Sequence, residues 1–174
     1  MANKTKGVFF FGKSAKKHVC KIVFFILGRA LQSASIHDDE VKNEISSWIE
    51  GFKIKMFISP NGPSMLIEKK GGILKYIGNK NEEADLVINF KNIECAFMVL
   101  TPQKGIPQAF AEHRMSVIGD VADAMIFTRC INIVLCYLYP RFINKRLLRR
   151  VPSLGFKKQL NRFVIYLLGI PFGL

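Results

Sequence analysis

The alternation of apolar and charged residues after Phe52 predicts the first strand of a sheet. Ile54, Met56 and Ile58 alternate with lysines, which is the period of a half-buried strand. A turn signal at Ser59-Pro60-Asn61-Gly62 closes this strand.

Three further apolar runs follow, separated by short polar segments. They cover residues 65–68, 73–77 and 84–90, and Gly71 and Gly72 lie in the turn between the first two runs. Four consecutive strands joined by short turns predict an antiparallel meander, and one face of such a sheet needs a cover.

Helical spacing returns after the fourth strand. The pattern predicts a helix over residues 93–100, a short helix over 107–112, a fifth strand over 115–120 and a long helix over 121–139. Because the long helix is apolar nearly all round from Cys130 onward, it must be covered on all sides.

A basic helix is predicted before residue 36, and a second helix follows it. Asp38, Asp39 and Glu40 supply carboxylates suited to the first turn of this second helix, which runs to about Glu50. A catalytic carboxylate cluster is the alternative, but the spacing favours the capping role.

Together these elements predict an α+β fold. It consists of a five-stranded, mainly antiparallel sheet covered by helices, with extra basic amphipathic helices at both termini. We expect a basic N-terminal extension over residues 1–35, one domain over 36–139 and a basic, apolar C-terminal extension over 140–174.

The net charge of +13 is concentrated at the two ends of the 174-residue sequence. Residues 1–30 hold seven Lys or Arg and no acid, and residues 141–174 hold eight and no acid. The segment between them is close to neutral. Any basic surface of this protein that binds a partner is therefore expected on the two flanks.

Both flanks interleave their cations with Phe, Ile and Leu, which is typical of a helix that lies in a membrane interface. We therefore predict contact with an anionic membrane surface. The predicted contact residues are Lys13, Lys16, Lys17, Lys21, Arg141, Lys145, Arg146, Arg149, Arg150, Lys157, Lys158 and Arg162.

Two alternatives remain open for these flanks. Their apolar faces could simply pack on the domain, as those of most amphipathic helices do. Nonspecific electrostatic binding of nucleic acid is the other, although the aromatic strand motifs of single-strand binders are absent and no specific nucleic acid partner is expected.

Targeting and cofactor signals are weak. The apolar run over residues 22–28 is too short to span a bilayer and lacks a convincing cleavage site, and the run over 163–174 is broken by Gly and Pro. We expect a cytoplasmic, peripherally membrane-associated protein. The four Cys and three His lack ligand spacing, so we expect buried free thiols, no metal and no cofactor.

Residues Gly7 to Ser14 match the pattern G-x-x-x-x-G-K-[ST] of phosphate-binding loops. A phosphate-binding loop of this kind follows a buried strand, whereas the residues before Gly7 are mostly polar. Three consecutive Phe are also unsuited to a loop whose backbone amides must be exposed. A Phe-rich anchor flanked by lysines is favoured over nucleotide binding.

The sequence gives little support for a catalytic site. The pair Glu112-His113 lies at a helix end beside Arg114, and neither a nucleophile elbow nor paired histidines on one helical turn are present. We expect a protein that is not an enzyme.

Two short motifs carry a resemblance to a known family. Ala-Asp-Leu-Val-Ile-Asn-Phe over residues 84–90, followed by a helix, and Arg-Met-Ser-Val-Ile-Gly-Asp-Val over 114–121, opening an apolar helix, resemble the lipid-binding domain of the sterol carrier protein type-two family. The resemblance extends over about residues 36–139 and leaves out both basic ends.

This resemblance implies an apolar tunnel between sheet and helices that takes fatty acyl chains, sterols or phospholipids. Plain core packing is the alternative for the residues concerned, and the cationic tail, which departs from the family, could plug the tunnel mouth. The residues implied to line the tunnel are Phe97, Leu100, Phe110, Met115, Val117, Met125, Ile126 and Ile133.

The expected function is therefore non-catalytic binding of a lipid or other apolar small molecule, with transfer or presentation of that lipid at a membrane. An accessory subunit that presents a lipid substrate to a partner enzyme is an alternative. A nucleotide-binding protein using Gly7 to Ser14 is a weaker one.

Overall fold

The structure, a computed structural model, describes residues 12–80 and 82–139. Five helices and five strands lie in these ranges. In chain order they are α1 (Lys13–His37), α2 (Asp39–Ile45), β1 (Lys53–Ile58), β2 (Ser64–Lys70), β3 (Ile73–Gly78), β4 (Leu86–Phe90), α3 (Ile93–Leu100), α4 (Ile106–Ala111), β5 (Met115–Ile118) and α5 (Val121–Leu138).

The five strands form one sheet in the order β3-β2-β1-β4-β5. Three of the four neighbouring pairs are antiparallel, and β1 and β4 are parallel, with Ile54 opposite Leu86 and Ile58 opposite Phe90. The prediction of a mainly antiparallel five-stranded sheet with helices is confirmed.

The predicted meander is correct for β1 to β3 and wrong for β4. After β3 the chain returns across the outer face of the sheet, where Glu82 accepts a hydrogen bond from Lys53 Nζ at 2.8 Å. Asp85 accepts one from the Lys53 backbone N–H at 2.8 Å, which places the start of β4 beside the start of β1. The alternation of β1 is compatible with either neighbour, because a period of two specifies faces and not partners.

Helix α1 lies directly on the β2–β3 side of the sheet. Gly28 makes this possible, because a Cβ at this position would come within 2.3 Å of the Tyr76 ring. At the same place α1 covers the edge of β3: the Leu74 N–H donates to Ser35 Oγ at 3.0 Å and the Tyr76 N–H to Gln32 Oε1 at 2.9 Å. A sheet edge that is paired in this way is protected from pairing with another chain.

The segment predicted as an N-terminal extension is thus, from Lys13 onward, part of the core. Cys20, Phe24, Leu27 and Leu31 of α1 are buried in the same cluster as the inner face of the sheet. The apolar face of α1 therefore packs on the domain, which is the first alternative stated above for the flanks.

The carboxylate of Asp38 caps α2, as the capping prediction requires. It accepts hydrogen bonds from the backbone N–H of Glu40 at 2.8 Å and of Val41 at 3.4 Å. The helix ends at Ile45, earlier than the predicted Glu50, because the chain turns to bury Trp48.

Polar contacts tie α5 to α2 and the residues that follow it. Arg129 Nε donates to Glu44 at 2.8 Å, and Trp48 Nε1 donates to Asp123 at 2.8 Å. The Tyr137 hydroxyl donates to Asp38 in the buried interior. From Cys130 to Leu138 every residue is buried or half-buried, in line with the expected cover for this helix.

Candidate functional site

A cavity of about 680 Å³ lies between the sheet and the helices. Its floor is a row of side chains across three strands, in which Met56 is opposite Ile88 and Ile88 is opposite Val117. Phe90 and Met115, a second opposed pair, extend this floor. The volume lies within the range of ~300–1,000 Å³ that is typical of small-molecule sites.

Three groups of helical residues form the walls. The lining residues of α5 recur every three or four positions, so one stripe of this helix faces the cavity. The wall residues are Val23, Ile26 and Leu27 of α1; Val99, Leu100, Pro102, Lys104, Gly105, Ile106, Pro107 and Phe110 of α3, α4 and the connection between them; and Val121, Ala124, Met125, Thr128, Arg129, Ile131, Asn132, Leu135, Leu138 and Tyr139 of α5 and its end.

The cavity is present because α1 packs closely on the sheet, whereas α5 leaves space between itself and the sheet. Gly28 lets α1 approach β3 closely. Helix α5 is held by its polar contacts to the α2 region, and the space below it, above β1, β4 and β5, is lined mainly by apolar side chains.

The opening of the cavity lies between α4 and the start of α5. Phe110, Val121 and Met125 all line the cavity, yet 54%, 71% and 55% of their surfaces are exposed. Exposed large apolar side chains at the rim of a cavity are typical of ligand-binding grooves.

Both cations of the wall are paired with acids. Lys104 Nζ donates to the two carboxylate oxygens of Glu112 at 2.7 Å each, and Arg114 also pairs with Glu112. The hydrogen bonds from Lys104 and then Arg114 lower the pKa of Glu112 to about 2. The other cation, Arg129, is engaged by Glu44.

The neutral polar groups of the wall differ in their partners. The Thr128 hydroxyl donates to the Ala124 carbonyl at 2.8 Å, and the Tyr139 hydroxyl donates to the Leu100 carbonyl at 3.3 Å. The side-chain amide of Asn132 makes no hydrogen bond to any residue that the structure describes.

Five of the eight residues predicted to line a tunnel lie on this cavity: Leu100, Phe110, Met115, Val117 and Met125. Their contact with a ligand stays a prediction.

The other three, Phe97, Ile126 and Ile133, do not line the cavity and pack against the core cluster instead. Ile126 and Ile133 are seven residues apart and share a face of α5 outside the lining stripe. The Phe97 ring faces α1, with Lys16 Nζ 5.8 Å from its centroid.

Sequence reasoning missed the contribution of α1 and of the central strands. The apolar residues of the N-terminal flank were predicted to contact either a membrane or the domain, and Met56 and Ile88 were predicted only as strand residues, so none of them was expected to line the cavity. The alternation of β1 and β4 contains the relevant signal, since it places Met56 and Ile88 on the face that the helices cover.

The predicted membrane-contacting lysines of α1 fall into two groups. Lys13, Lys17 and Lys21 are exposed, whereas Lys16 is half-buried and pairs with Glu94. The remaining predicted contacts, Arg141, Lys145, Arg146, Arg149, Arg150, Lys157, Lys158 and Arg162, lie outside the described residues, as do Gly7 to Phe11 of the phosphate-loop match.

All four cysteines are buried free thiols. Burial raises the pKa of Cys20 to about 11 and that of Cys130 to about 12. Within residues 12–80 and 82–139, no group of three or more His, Cys, Asp or Glu side chains is placed to hold a metal ion.

Neither a protein family nor a curated protein matches the sequence. Similar solved structures exist. The chain is 12% identical to a ubiquinone synthesis protein described as UbiJ-SCP2, with a TM-score of 0.46 over 68% of this chain and 97% of that one. It is 14% identical to sterol carrier protein 2 from Yarrowia lipolytica, with a TM-score of 0.46 over 64% and 88%.

A third similar structure is the sterol carrier protein domain 2 of Helicoverpa armigera, which is 19% identical, with a TM-score of 0.45 over 86% of this chain and 98% of that one. These matches are to the family that the two sequence motifs resemble. At such identities and TM-scores the likeness leaves ligand and function open.

Proposed function

We propose that this protein binds one lipid-sized apolar molecule in the cavity between the sheet and α5. The observation that carries the proposal is the cavity itself: about 680 Å³ of space, with an apolar floor and mainly apolar walls. Burial of apolar surface supplies roughly 0.8 kcal/mol per methylene group, so an aliphatic chain in this space gains affinity from its length.

The side chains of the cavity suit an adaptable ligand site. Met56, Met115 and Met125 lie on its floor and at its mouth, and methionine side chains adjust to irregular apolar surfaces. The exposed Phe110 and Met125 provide an apolar entrance, so a bound chain can enter without crossing a polar barrier.

Chain length provides the first test of this proposal. Octanol, decanol, dodecanol and tetradecanol would be compared as competitors of the neutral dye Nile red on the full chain. Affinity should rise by up to about fourfold per methylene, as ~0.8 kcal/mol implies, and level off once the chain exceeds the cavity. Equal affinity for all four alcohols would contradict a buried chain.

A cavity-filling substitution provides the second test. Ala124 is buried and lines the cavity, whereas Ala122 lies on the same helix and is exposed. Ala124→Phe should weaken dodecanol binding at least tenfold, because the new ring occupies ligand space, and Ala122→Phe should bind as the unmodified protein does. Circular dichroism would check that both variants fold. Unchanged binding by a folded Ala124→Phe variant would reject the site.

We also propose that the exposed stripe of α1 helps to hold the protein on anionic membranes, on the cytoplasmic side where such lipids are concentrated. Lys17 and Lys21 are exposed beside Ile22 and Phe25, whose surfaces are 58% and 42% exposed. Cations next to exposed large apolar groups match a helix that lies in the headgroup region. Ile22 is one turn from Ile26 of the cavity wall, so this stripe runs beside the site.

Charge reversal tests the membrane proposal. Each Lys near an anionic surface contributes about 1 kcal/mol, so Lys17→Glu with Lys21→Glu should reduce binding to phosphatidylserine-containing vesicles by more than tenfold. The matched control reverses two exposed lysines elsewhere, Lys42 and Lys75, and should have a smaller effect. Equal losses in both double variants would show that net charge, and not this stripe, governs binding.

A further inference from the structure

Asn132 lies in the middle of the α5 stripe that faces the cavity, between Thr128 and Leu135. Its side chain is half-buried and makes no hydrogen bond to the described part of the protein. An amide offers two N–H donors and a carbonyl acceptor, and leaving such a group unpaired in apolar surroundings is costly. The position therefore suits a residue whose partner arrives with the ligand.

The other polar groups of the wall already have partners within the protein. The Thr128 hydroxyl donates to the Ala124 carbonyl at 2.8 Å, and Lys104 and Arg129 pair with carboxylates at 2.7 and 2.8 Å. Asn132 is thus the group on the lining stripe with unused donors and an unused acceptor among the described residues.

The pairing of the cations bears on the charge of the ligand. With Lys104 held by Glu112 and Arg129 by Glu44, both cations of the described wall already have an acidic partner within the protein. An unpaired anion in an apolar site pays a large desolvation penalty, whereas a hydroxyl or carbonyl pays a small one that a single hydrogen bond offsets.

We infer that the cavity selects an uncharged amphiphile, with one hydroxyl or carbonyl group hydrogen-bonded to Asn132 and its chain along the apolar floor. This inference rests on the proposed function and adds to it the class of ligand and the residue that recognises the polar group. An amide can donate to a carbonyl or accept from a hydroxyl, so both kinds of uncharged head group fit.

The test compares three molecules with the same chain length: dodecane, dodecanol and laurate. Each is used to displace Nile red from the full chain and from two near-isosteric variants, Asn132→Leu and Thr128→Val. The unmodified protein should bind dodecanol more tightly than laurate. Asn132→Leu should weaken dodecanol relative to dodecane by about fivefold, the effect of one net hydrogen bond of about 1 kcal/mol. Thr128→Val should change that ratio less than Asn132→Leu does, because the Thr128 hydroxyl already donates its proton to the Ala124 carbonyl.

The outcomes separate the inference from the proposal on which it rests. An unchanged dodecanol-to-dodecane ratio in Asn132→Leu, an equal shift in Thr128→Val, or tighter binding of laurate than of dodecanol would each overturn the inference while leaving a lipid site in place. Failure of all three molecules to displace the dye from the folded, unmodified protein would overturn the proposed function itself. Asn132→Ala, a smaller change at the same position, replaces Asn132→Leu if circular dichroism shows that the leucine variant is misfolded.

Discussion

Substitution of Gly28 by alanine tests the close approach of α1 to the sheet. In the interior of an exposed helix, Gly→Ala stabilises a protein by about 1 kcal/mol, because alanine has the higher helix propensity. Here the added Cβ would lie 2.3 Å from Cδ2 and 3.0 Å from Cγ of Tyr76. The conflict involves the base of the ring, near the β3 backbone, so the side chain cannot avoid it by moving only its far end.

The expected effect is the difference between two opposing contributions. Overpacking of a tight contact costs roughly 1–3 kcal/mol, and the gain in helix propensity returns about 1 kcal/mol. We expect Gly28→Ala to lower the free energy of unfolding by up to about 2 kcal/mol. With Tyr76→Ser as the background the ring is gone, and the same substitution should then raise the free energy of unfolding by up to about 1 kcal/mol.

Urea denaturation of the four proteins, followed by circular dichroism, measures both effects in one double-mutant cycle. The decisive result is the change of sign between the two backgrounds. A stabilising effect of Gly28→Ala in the presence of Tyr76 would refute the reasoning, since it would mean that α1 stands farther from β3 than the structure places it.

Three further predictions concern the polar and thiol groups. The pKa of Glu112 is lowered in the folded protein. Its contribution to stability is therefore present above the unfolded pKa near 4.5 and is lost as the pH falls toward about 2. An NMR titration of Glu112 should find a midpoint near pH 2 and not near 4.5. The buried thiols of Cys20 and Cys130, with pKa values of about 11 and 12, should resist iodoacetamide at pH 8 in the native protein and react rapidly once urea unfolds it; fast native labelling of either would contradict their burial. Tyr137→Phe leaves the buried Asp38 carboxylate without its hydroxyl donor. It should lower the free energy of unfolding, measured by urea denaturation, by about 2 kcal/mol. A decrease below about 0.5 kcal/mol would show that water replaces the hydroxyl.

Local periodicity was sufficient to predict most of the elements. The alternation over residues 52–58 and 84–90 and the helical spacing over 93–100 and 121–139 correspond to β1, β4, α3 and α5. The partner of β4 could not be predicted in the same way. Its alternation specifies an inner and an outer face but not a neighbour. Pairing with β1 involves contacts between residues far apart in the sequence, such as the hydrogen bond from the Lys53 backbone N–H to Asp85.

The site was harder to predict because its walls depend on tertiary packing. A stripe such as Val23, Ile26 and Leu27 is the same whether it faces a membrane or a sheet, and tertiary contacts such as the close approach at Gly28 decide between them. On α5 the apolar residues surround the helix from Cys130 onward, so periodicity cannot distinguish Ile133, which packs against the core cluster, from Leu135, which lines the cavity.

The size of the cavity has a consequence for the stability of the fold. Empty space in a protein core costs about 24 cal/mol per Å³, so a cavity of about 680 Å³ cannot stand empty in a domain of ordinary net stability. The space must therefore be filled, and its apolar lining favours an apolar occupant over water, because water needs two or more polar partners. A molecule that fills the cavity binds the folded state alone and stabilises it by RT ln(1 + [L]/Kd), which is about 2.7 kcal/mol at a hundredfold excess over Kd. Because α5 lies above the sheet and leaves this cavity below it, the stability of the folded state depends on whether the cavity is occupied.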